Sequence, residues 1–515
     1  MRSTINDWVA FVVNKLTRSR VGLNAVSNIG GKLWSAFLSL LSVPIFLKYL
    51  GAEAYGLVGL YASFEVVFNF LDLGLSATMN REIARNIATN KPGGESKNLL
   101  RTFEYFYWAI GFVAAILIAS LAGWIANNWV IIHDLSHQQV QLSINVMAIV
   151  FAARWPMTLY TGVLRGLQKQ FLQNVIFITL ATLRIFVAFM ILKYISRDVT
   201  IFLAWEAISC GIEILALLIF AWRELNKIST EKPRADLNLV KGIWKFALSF
   251  NVVGVLGMIL SQADRLIASK FVNLGNIGYY SVANTAAGSL TMIAFSIGMA
   301  VSPKFAADIA RNDIQAVSTE FHRYIRLIHY FVFGFGFILI LFSSNILYLW
   351  TGDWNVVNHT SLILIFLAGA SFFNSIANTS YSLLVASGNT RIPLICNIVN
   401  FIIFIPTLIF LIPKYGILTV AIVFFLENLI SYFVYILSVG KLILKESYFE
   451  YVKNDIIPYL ISGVVWFLGG KIMWMFWDNE SVKLAIIIIV SVGYFVSMAF
   501  RLTRDISVNR NDNIE

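Results

Sequence analysis

Long apolar runs alternate with short polar connections over almost the whole chain. Most runs hold about 20 residues, the length that an α-helix needs to cross the hydrocarbon core of a bilayer. Each run is continuously apolar, whereas the strands of a membrane β-barrel alternate apolar and polar residues, so the runs predict helices. Fourteen spans are predicted, at 27–50, 54–76, 102–126, 142–165, 171–193, 200–222, 246–270, 277–301, 327–350, 360–385, 392–413, 416–440, 456–476 and 484–501.

The composition indicates the same class of protein. Of the 515 residues, 58% are hydrophobic and 13% are charged, whereas a soluble domain usually carries about 25% charged residues. Disorder is excluded as well, because a disordered chain needs low hydrophobicity and high charge. The sequence therefore predicts an all-α integral membrane protein.

The net charge of +11 arises from basic residues that lie mainly on one side of the predicted membrane. With the N-terminus inside, 28 of the 39 Lys and Arg residues fall in cytoplasmic segments and 7 in outer segments. Cytoplasmic loops are enriched in Lys and Arg. We therefore expect a multi-pass protein with both termini in the cytoplasm, and the basic charge gives no reason to expect a nucleic-acid partner.

An internal repeat indicates how the spans are organised. A shift of 222 residues brings Gly56 onto Gly278, each of which opens a span. Parallel repeats of this kind are one of the common plans of transporters. The predicted parts are an N-terminal cytoplasmic segment at 1–26, a six-helix bundle at 27–222, a cytoplasmic linker at 223–245, a second six-helix bundle at 246–440, and two further helices with a tail at 441–515.

Signatures of enzyme chemistry are absent from the sequence, which has no P-loop, no H-E-x-x-H and no G-x-S-x-G motif. His133 and His137 are four residues apart in a short outer loop without a third metal ligand in sight. Cys210 and Cys396 both lie in apolar spans, where we expect them to be small buried residues. We therefore expect neither an enzyme nor a metal site nor a cofactor.

Charged residues within the predicted spans are the most informative, because each is costly in a bilayer unless it is paired or hydrated. Most of them lie in the first seven spans, which are therefore expected to line the polar interior. The cations are Lys32, Arg154, Arg184 and Arg265, and the anions are Glu65, Asp72, Glu206, Glu213, Asp264 and Glu427.

Two of the arginines are candidates for binding a phosphate. Arg154 and Arg184 reach the middle of the fourth and fifth spans at a rise of about 1.5 Å per residue. Two guanidinium groups at one depth can bind a phosphate or a diphosphate bidentately. The alternative is that each pairs with a carboxylate, since Glu65 and Glu213 also lie near mid-depth. Arg265 and Lys32 are further candidates for substrate binding.

The acids within the spans indicate a possible coupling to ions. Glu65 and Asp72 are seven residues apart and are expected to share a helix face, and Glu206 and Glu213 repeat this spacing. Stacked carboxylates in a cavity can carry a proton or bind Na⁺. Ion pairing is again the alternative, for example between Asp72 and Lys32. The candidates for ion coupling are Glu65, Asp72, Glu206, Glu213 and Asp264.

Three stretches resemble motifs of one transporter family. They are Asp264-Arg265-Leu-Ile-Ala-Ser-Lys-Phe-Val-Asn-Leu-Gly-Asn-Ile-Gly278-Tyr-Tyr280, Leu164-Arg165-Gly166-Leu-Gln168 and Tyr49-Leu50-Gly51-Ala-Glu-Ala-Tyr55-Gly56. Over about its first 440 residues the chain resembles the Wzx-type O-antigen and polysaccharide flippases. These belong to the multidrug/oligosaccharidyl-lipid/polysaccharide exporter superfamily.

The resemblance implies a V-shaped pair of six-helix bundles around a cavity. It implies that alternating access carries an undecaprenyl-diphosphate-linked oligosaccharide from the cytoplasmic to the periplasmic leaflet of a bacterial inner membrane. In that case Arg154 and Arg184 would face the diphosphate and the sugar. The implied partners are this lipid-linked substrate and membrane lipid, with a polysaccharide polymerase and the chain-length machinery as further expectations.

Two other functions stay open at this point. An ion-coupled multidrug exporter of the same fold would favour a cavity lined with carboxylates, and the acids within the spans outnumber the bases. A membrane-embedded polysaccharide polymerase would need a substantial outer loop to hold its chemistry. The longest outer loop, at 127–141, is only about fifteen residues long, which makes this alternative the weaker one.

Overall fold

A computed structural model describes residues 20–70, 72, 74–89, 93–236, 252–477 and 479–511. These residues are overwhelmingly helical, and the one isolated β-bridge among them joins Ile131 to Asn273. The predicted class, an all-α integral membrane protein, is confirmed. The first 19 residues of the predicted N-terminal segment, most of the second half of the predicted linker and the extreme C-terminus lie outside the described residues.

The chain forms two compact units, residues 1–278 and 279–515. The helices of the first unit are α1 (Arg20–Leu50), α2 (Ala52–Phe70), α3 (Leu75–Ala88), α4 (Gly93–Trp124), α5 (His137–Gly166), α6 (Gln170–Tyr194), α7 (Val199–Asn226) and α8 (Val252–Phe271), and α9 (Leu274–Ala310) begins there and continues into the second unit. The seventh predicted span thus groups with the first six. The division into two six-helix bundles at 27–222 and 246–440 stays a prediction.

The helices of the second unit continue this numbering. They are α10 (Ile314–Leu341), α11 (Ser343–Thr351), α12 (Trp354–Ala386), α13 (Arg391–Tyr415), α14 (Leu418–Val439), α15 (Tyr448–Tyr451), α16 (Ile457–Gly463), α17 (Gly469–Met475) and α18 (Glu480–Asn511). Short π-helical turns link α15 to α16 and α16 to α17. These three helices therefore form one apolar run, Tyr448–Met475, that is long enough to span a bilayer.

Within the described residues, 11 helices are long and apolar enough to cross a membrane. They overlap all of the predicted spans except the second, seventh and eighth, at 54–76, 246–270 and 277–301. The described residues of those three stretches are mostly helical and lie in α2, α3, α8 and α9. Charged residues interrupt the apolar character of α2 and α8. The ninth span, predicted at 327–350, crosses the boundary between α10 and α11. The total of fourteen spans therefore stays a prediction.

The second predicted span is not one continuous helix. α2 ends at Phe70, and α3 begins at Leu75 after Gly74, whose φ of 79° is a left-handed conformation that glycine adopts without strain. The Asp72 carboxylate accepts a hydrogen bond from the Ser76 amide (3.0 Å) and so satisfies one of the free N–H groups at the start of α3. The prediction that Glu65 and Asp72 share a helix face is therefore wrong.

Two glycines let α2 and α9 touch through their backbones. A Cβ atom added to Gly56 would lie 1.8 Å from the Leu274 carbonyl oxygen, and one added to Gly278 would lie 2.1 Å from the Ala52 carbonyl oxygen. Neither position can accept a side chain without moving a helix. Because these are the two glycines that the 222-residue repeat aligns, the reciprocal contact supports the predicted repeat.

The last two predicted spans belong to the core of the second unit. Tyr459, Phe467 and Tyr494 have no exposed surface, and they share one hydrophobic cluster with Phe321 and Val332 of α10. Burial of large aromatic side chains is among the strongest contributions to helix packing. The C-terminal helices are therefore a structural part of this unit.

Candidate functional site

Arg154 of α5 forms an ion pair with Glu65 of α2, with 2.6 Å between Nη1 and Oε1. The two side chains are 14% and 22% exposed, respectively, so the pair is largely withdrawn from the surface. The Nε atom of Arg154 is buried and makes no hydrogen bond. An unsatisfied buried donor costs about 1–3 kcal/mol. A further oxygen ligand that accepted a hydrogen bond from Nε would therefore be stabilised at this guanidinium.

Arg184 of α6 is held more loosely. Its Nη1 lies 3.7 Å from Oε2 of Glu206 in α7, which is beyond the range of a good hydrogen bond. The backbone of this residue is better fixed, because Trp205 of α7 donates a 2.9 Å hydrogen bond from Nε1 to the Arg184 carbonyl oxygen. The helix position is thus set while the guanidinium keeps donors that a ligand can use.

A third acid completes the group. Glu213, two turns after Glu206 on α7, interacts electrostatically with both arginines, and the arginines interact with each other. We call Arg154, Arg184, Glu65, Glu206 and Glu213 the five-charge cluster. It joins four helices of the first unit, and with every member ionised its net charge is −1.

Aromatic residues form an apolar wall beside this cluster. The Tyr61 ring stacks on Phe151 with centroids 5.7 Å apart, and Phe68 stacks on Phe151 at 4.7 Å. Cys210 is buried nearby, as predicted, and its thiol donates to the Val150 carbonyl oxygen. An apolar wall lowers the local dielectric constant and so strengthens each electrostatic contact of the cluster.

Asp72 has a different environment from the five-charge cluster. Its side chain is buried and accepts hydrogen bonds from the Tyr107 hydroxyl, from Thr158 (2.9 Å) and from the Ser76 hydroxyl (2.7 Å). These donors come from α4, α5 and α3. The hydrogen bonds of Asp72 therefore connect the segment between α2 and α3 to α4 and α5.

The other three predicted site residues lie on α1 and α8. Arg265 donates from Nη2 to Oε1 of Gln262 at 2.9 Å, one turn earlier in α8. Asp264 is only 2% exposed, whereas Lys32 is exposed and lies close enough to Arg165 to interact with its charge. Their roles in substrate binding or ion coupling stay predictions.

One acid of the third predicted span was missed by sequence reasoning. Glu104 of α4 is 6% exposed and accepts hydrogen bonds from Tyr160 (3.0 Å) and Trp222 (2.7 Å). Arg101 lies one turn earlier and pairs with it at 3.0 Å. The position of Glu104 within the predicted span at 102–126 is the signal that could have identified it.

Two protein families match this chain. The family described as "Polysaccharide biosynthesis protein" matches residues 21–308, which is more than half of the chain and includes every residue of the five-charge cluster. The chain belongs to this family. A second family, described as "MatE", matches residues 252–411.

Relatives and solved structures extend this result. A Shigella flexneri protein named "Putative O-antigen transporter" is 22% identical over 399 residues, which cover 78% of this chain and 93% of that protein. The structure "Lipid II flippase MurJ, inward closed conformation" has a TM-score of 0.70 at 17% identity and covers 92% of this chain and 98% of its own. An inward-facing multidrug resistance MATE family transporter of the MOP superfamily has a TM-score of 0.63 at 15% identity, over 80% of this chain and 94% of its own.

These findings confirm the resemblance that the three sequence stretches indicated. The relatives named here are described as a putative transporter, a flippase and a multidrug transporter, which supports the prediction that the protein is not an enzyme. The structural likenesses, at such low identity, establish the fold. The residues of the five-charge cluster are the feature that bears on the substrate.

Proposed function

We propose that this protein is a flippase for undecaprenyl-diphosphate-linked oligosaccharides, the repeat units of O-antigen or another surface polysaccharide. It moves them from the cytoplasmic to the periplasmic leaflet of the bacterial inner membrane by alternating access. The observation that carries the proposal is the five-charge cluster, which holds two partly accessible arginines within the apolar helices of the first unit. The family and the named relatives supply the class of cargo.

In the proposed binding step, the diphosphate exchanges for carboxylate partners. Its oxygens take up the donors of Arg184, whose contact with Glu206 is long, and the free Nε–H of Arg154. Planar guanidinium groups suit this exchange because they bind phosphate oxygens in a fork, which a lysine ammonium does not.

The charge balance of this step requires a proton. The cluster already carries −1 when fully ionised, so a diphosphate adds like charge to an apolar site. Glu213 forms no ion pair within the described part of the chain, and it is the acid that we propose takes up a proton on substrate binding. This places proton coupling at the same cluster as cargo binding.

The negative net charge also favours a second candidate, a multidrug exporter for organic cations. Such a cargo would replace the arginines as partners of Glu65 and Glu206. The match of residues 252–411 to the second family is compatible with it. The two candidates differ in the sign of the cargo and therefore in the arginine dependence of transport.

The test uses the purified full-length protein in lipid vesicles that contain a fluorescent undecaprenyl-diphosphate oligosaccharide. A membrane-impermeant quencher reports the fraction of probe in the outer leaflet. We expect the wild type to translocate the probe and Arg184→Ala to lose about ten- to a hundredfold in affinity, the equivalent of about 1.5–3 kcal/mol for one charge-assisted contact. Arg184→Lys should recover part of the loss, and Arg311→Ala, with a side chain that is 77% exposed, is the control.

Two results would overturn the proposal. One is a folded wild type that leaves the probe in its original leaflet. The other is an Arg184→Ala protein that moves it at the wild-type rate. Transport of a lipophilic cation by the same vesicles, without movement of the oligosaccharide, would favour the exporter.

Orientation and partners belong to the same proposal. We propose that both termini face the cytoplasm, on the evidence of the basic residues, and that a polysaccharide polymerase with its chain-length machinery receives the exported unit. Lys32 and Arg265 are proposed as additional substrate contacts. Glu65, Asp72, Glu206 and Asp264 are further candidates for ion coupling.

A further inference from the structure

Glu427 is the one acid within the predicted spans that lies far along the chain, in the middle of α14. Its Oε1 accepts a 2.6 Å hydrogen bond from Asn400 of α13, and its Oε2 accepts a 2.8 Å hydrogen bond from the neighbouring Asn428. The Ser431 hydroxyl lies 3.4 Å from Oε1. Every one of these partners is neutral.

A second layer of contacts holds the amides in place. Asn374 of α12 donates to Oδ1 of Asn428 at 2.7 Å, and Asn428 also donates to the Phe424 carbonyl oxygen at 2.8 Å. Asn400 donates to Ser431 at 3.1 Å as well. Three helices of the second unit thus converge on a single carboxyl group.

No cation on these helices is placed to neutralise Glu427. α12 contains no Lys, Arg, Asp or Glu, and α14 contains no charged residue besides Glu427. α13 has basic residues only at its two ends, Arg391 and Lys414, which lie about 14 Å and about 21 Å along the axis from Asn400 at a rise of about 1.5 Å per residue.

The other titratable side chains near this carboxyl group are two tyrosines and a cysteine, none of which becomes a cation. Tyr435 of α14 lies close enough to interact electrostatically with Glu427 and with Cys396 of α13 and Tyr381 of α12. This contrasts with Glu65 and Glu206, which each face an arginine. An ionised carboxylate in such surroundings is costly unless a cation accompanies it.

A cavity gives access to this carboxyl group. Its volume is about 650 Å³, it lies between α13 and α14, and it is open at the surface of the second unit. Its lining is apolar except for a few side chains, among which are Glu427, Asn400 and Thr419. The cavity leads to the carboxyl group and to the amide that holds it.

From this geometry we propose that Glu427 is a binding site for a monovalent cation, a proton or Na⁺, in the second unit. Its two carboxylate oxygens and the Ser431 hydroxyl are oxygen ligands, which hard cations prefer, and the Asn400 side chain adds an amide oxygen when its amide turns over. A proton is accommodated as well, because an asparagine that turns its amide presents an acceptor where it had a donor. The site is separate from the five-charge cluster and lies on other helices.

The experiment is chemical labelling of the intact wild-type protein with dicyclohexylcarbodiimide, a lipophilic reagent that attacks protonated carboxyl groups in apolar surroundings. Peptide mass spectrometry then measures the modified fraction of Glu427. Labelling is compared between mildly acidic and alkaline buffer, and between NaCl and choline chloride at a fixed pH. Glu427→Gln controls for the assignment of the modified peptide, and Glu450, an exposed acid of α15, is the internal reference.

A proton site predicts that labelling of Glu427 falls about tenfold for each pH unit above its titration midpoint, with no effect of NaCl. A sodium site predicts the same fall and, in addition, protection by NaCl at fixed pH. Glu450 should stay unlabelled in every buffer, because its side chain is exposed to water and the reagent attacks carboxyl groups in apolar surroundings.

Absence of labelling at every pH would overturn the proposal, because the cavity admits the reagent. A modified fraction of Glu427 that changes with neither pH nor NaCl would overturn the proposal too, since the carboxyl group would then be permanently protonated. Neither result depends on transport, so the outcome is independent of whether the protein proves to be a flippase.

Discussion

Replacing Arg154 with alanine should leave Glu65 without its cation in a place that water reaches poorly. Removing one partner of a fully buried ion pair costs about 3–5 kcal/mol, whereas an exposed pair contributes about 0–1 kcal/mol. The Arg154 and Glu65 side chains are 14% and 22% exposed, which places them nearer to the buried limit. The substitution also removes the unsatisfied Nε–H, which returns about 1 kcal/mol. We therefore expect a net loss of about 2 kcal/mol in the free energy of unfolding.

A double-mutant cycle separates the structural role of this pair from a role in cargo binding. Arg154→Ala together with Glu65→Ala leaves no uncompensated charge, so the double variant should regain about 1–2 kcal/mol relative to the sum of the single variants. Its abundance in the membrane should recover accordingly. Transport of the oligosaccharide should stay low in the double variant, because the arginine that we propose as a ligand of the diphosphate is still missing.

The measurements are thermal unfolding in detergent, membrane abundance and transport in vesicles, made on the same preparations. Arg85→Ala is a matched control, because Arg85 pairs with Glu82 at 2.9 Å but is 57% exposed, so its loss should cost less than 1 kcal/mol. Recovery of both abundance and transport in the double variant would refute the role of Arg154 in cargo binding. Additive losses of stability would refute the energetic coupling of Arg154 and Glu65.

Three further predictions concern the rest of the molecule. Gly56→Val and Gly278→Val should each lower membrane abundance and the unfolding temperature, because overpacking costs about 1–3 kcal/mol. The control is Gly30→Ala, which has open space around its Cβ position and should be close to wild type in the same assays. Arg184→Ala should destabilise the protein by only about 1 kcal/mol, because its ion pair is long; a loss as large as that of Arg154→Ala in thermal unfolding would contradict the looser contact. A reporter fused to the C-terminus should behave as cytoplasmic and one inserted in 127–141 as periplasmic, and a periplasmic C-terminus would rule out an even number of spans.

Hydrophobic patterning predicted the helical spans well because bilayer thickness fixes their length. It failed between α2 and α3, where the Asp72 side chain accepts a hydrogen bond at the start of α3 and Gly74 adopts a left-handed conformation. An apolar run alone cannot reveal such a break, since the same residues would also suit a continuous helix. Helix ends outside the bilayer were missed for a related reason, as α4 begins at Gly93 and α10 at Ile314, well before the apolar residues of their spans.

The charged residues of the candidate site and their depth in the spans could be predicted from the sequence. Which of them form ion pairs with one another could not. Counting residues from the span ends placed Arg154 and Glu65 at one level, and the structure brings them into contact. The partner of Arg184 is Glu206, which the sequence linked only to Glu213 on the same helix. Which helices are neighbours decides such pairings, and a single sequence does not contain that information directly. The asparagine partners of Glu427 could not be predicted either. An asparagine within a span carries no charge, so the pattern of charged residues does not single it out.

The aromatic cluster at the C-terminal end of the second unit has a consequence for biogenesis. Tyr494 of α18 is fully buried and packs against α10, which precedes it by more than 150 residues. Translation supplies α10 first, so its apolar surface stays uncovered until α18 has been synthesised and inserted. The core of the second unit therefore cannot close before α18 arrives. A nonsense mutation upstream of α18 would leave that surface uncovered and expose the product to membrane quality-control proteases.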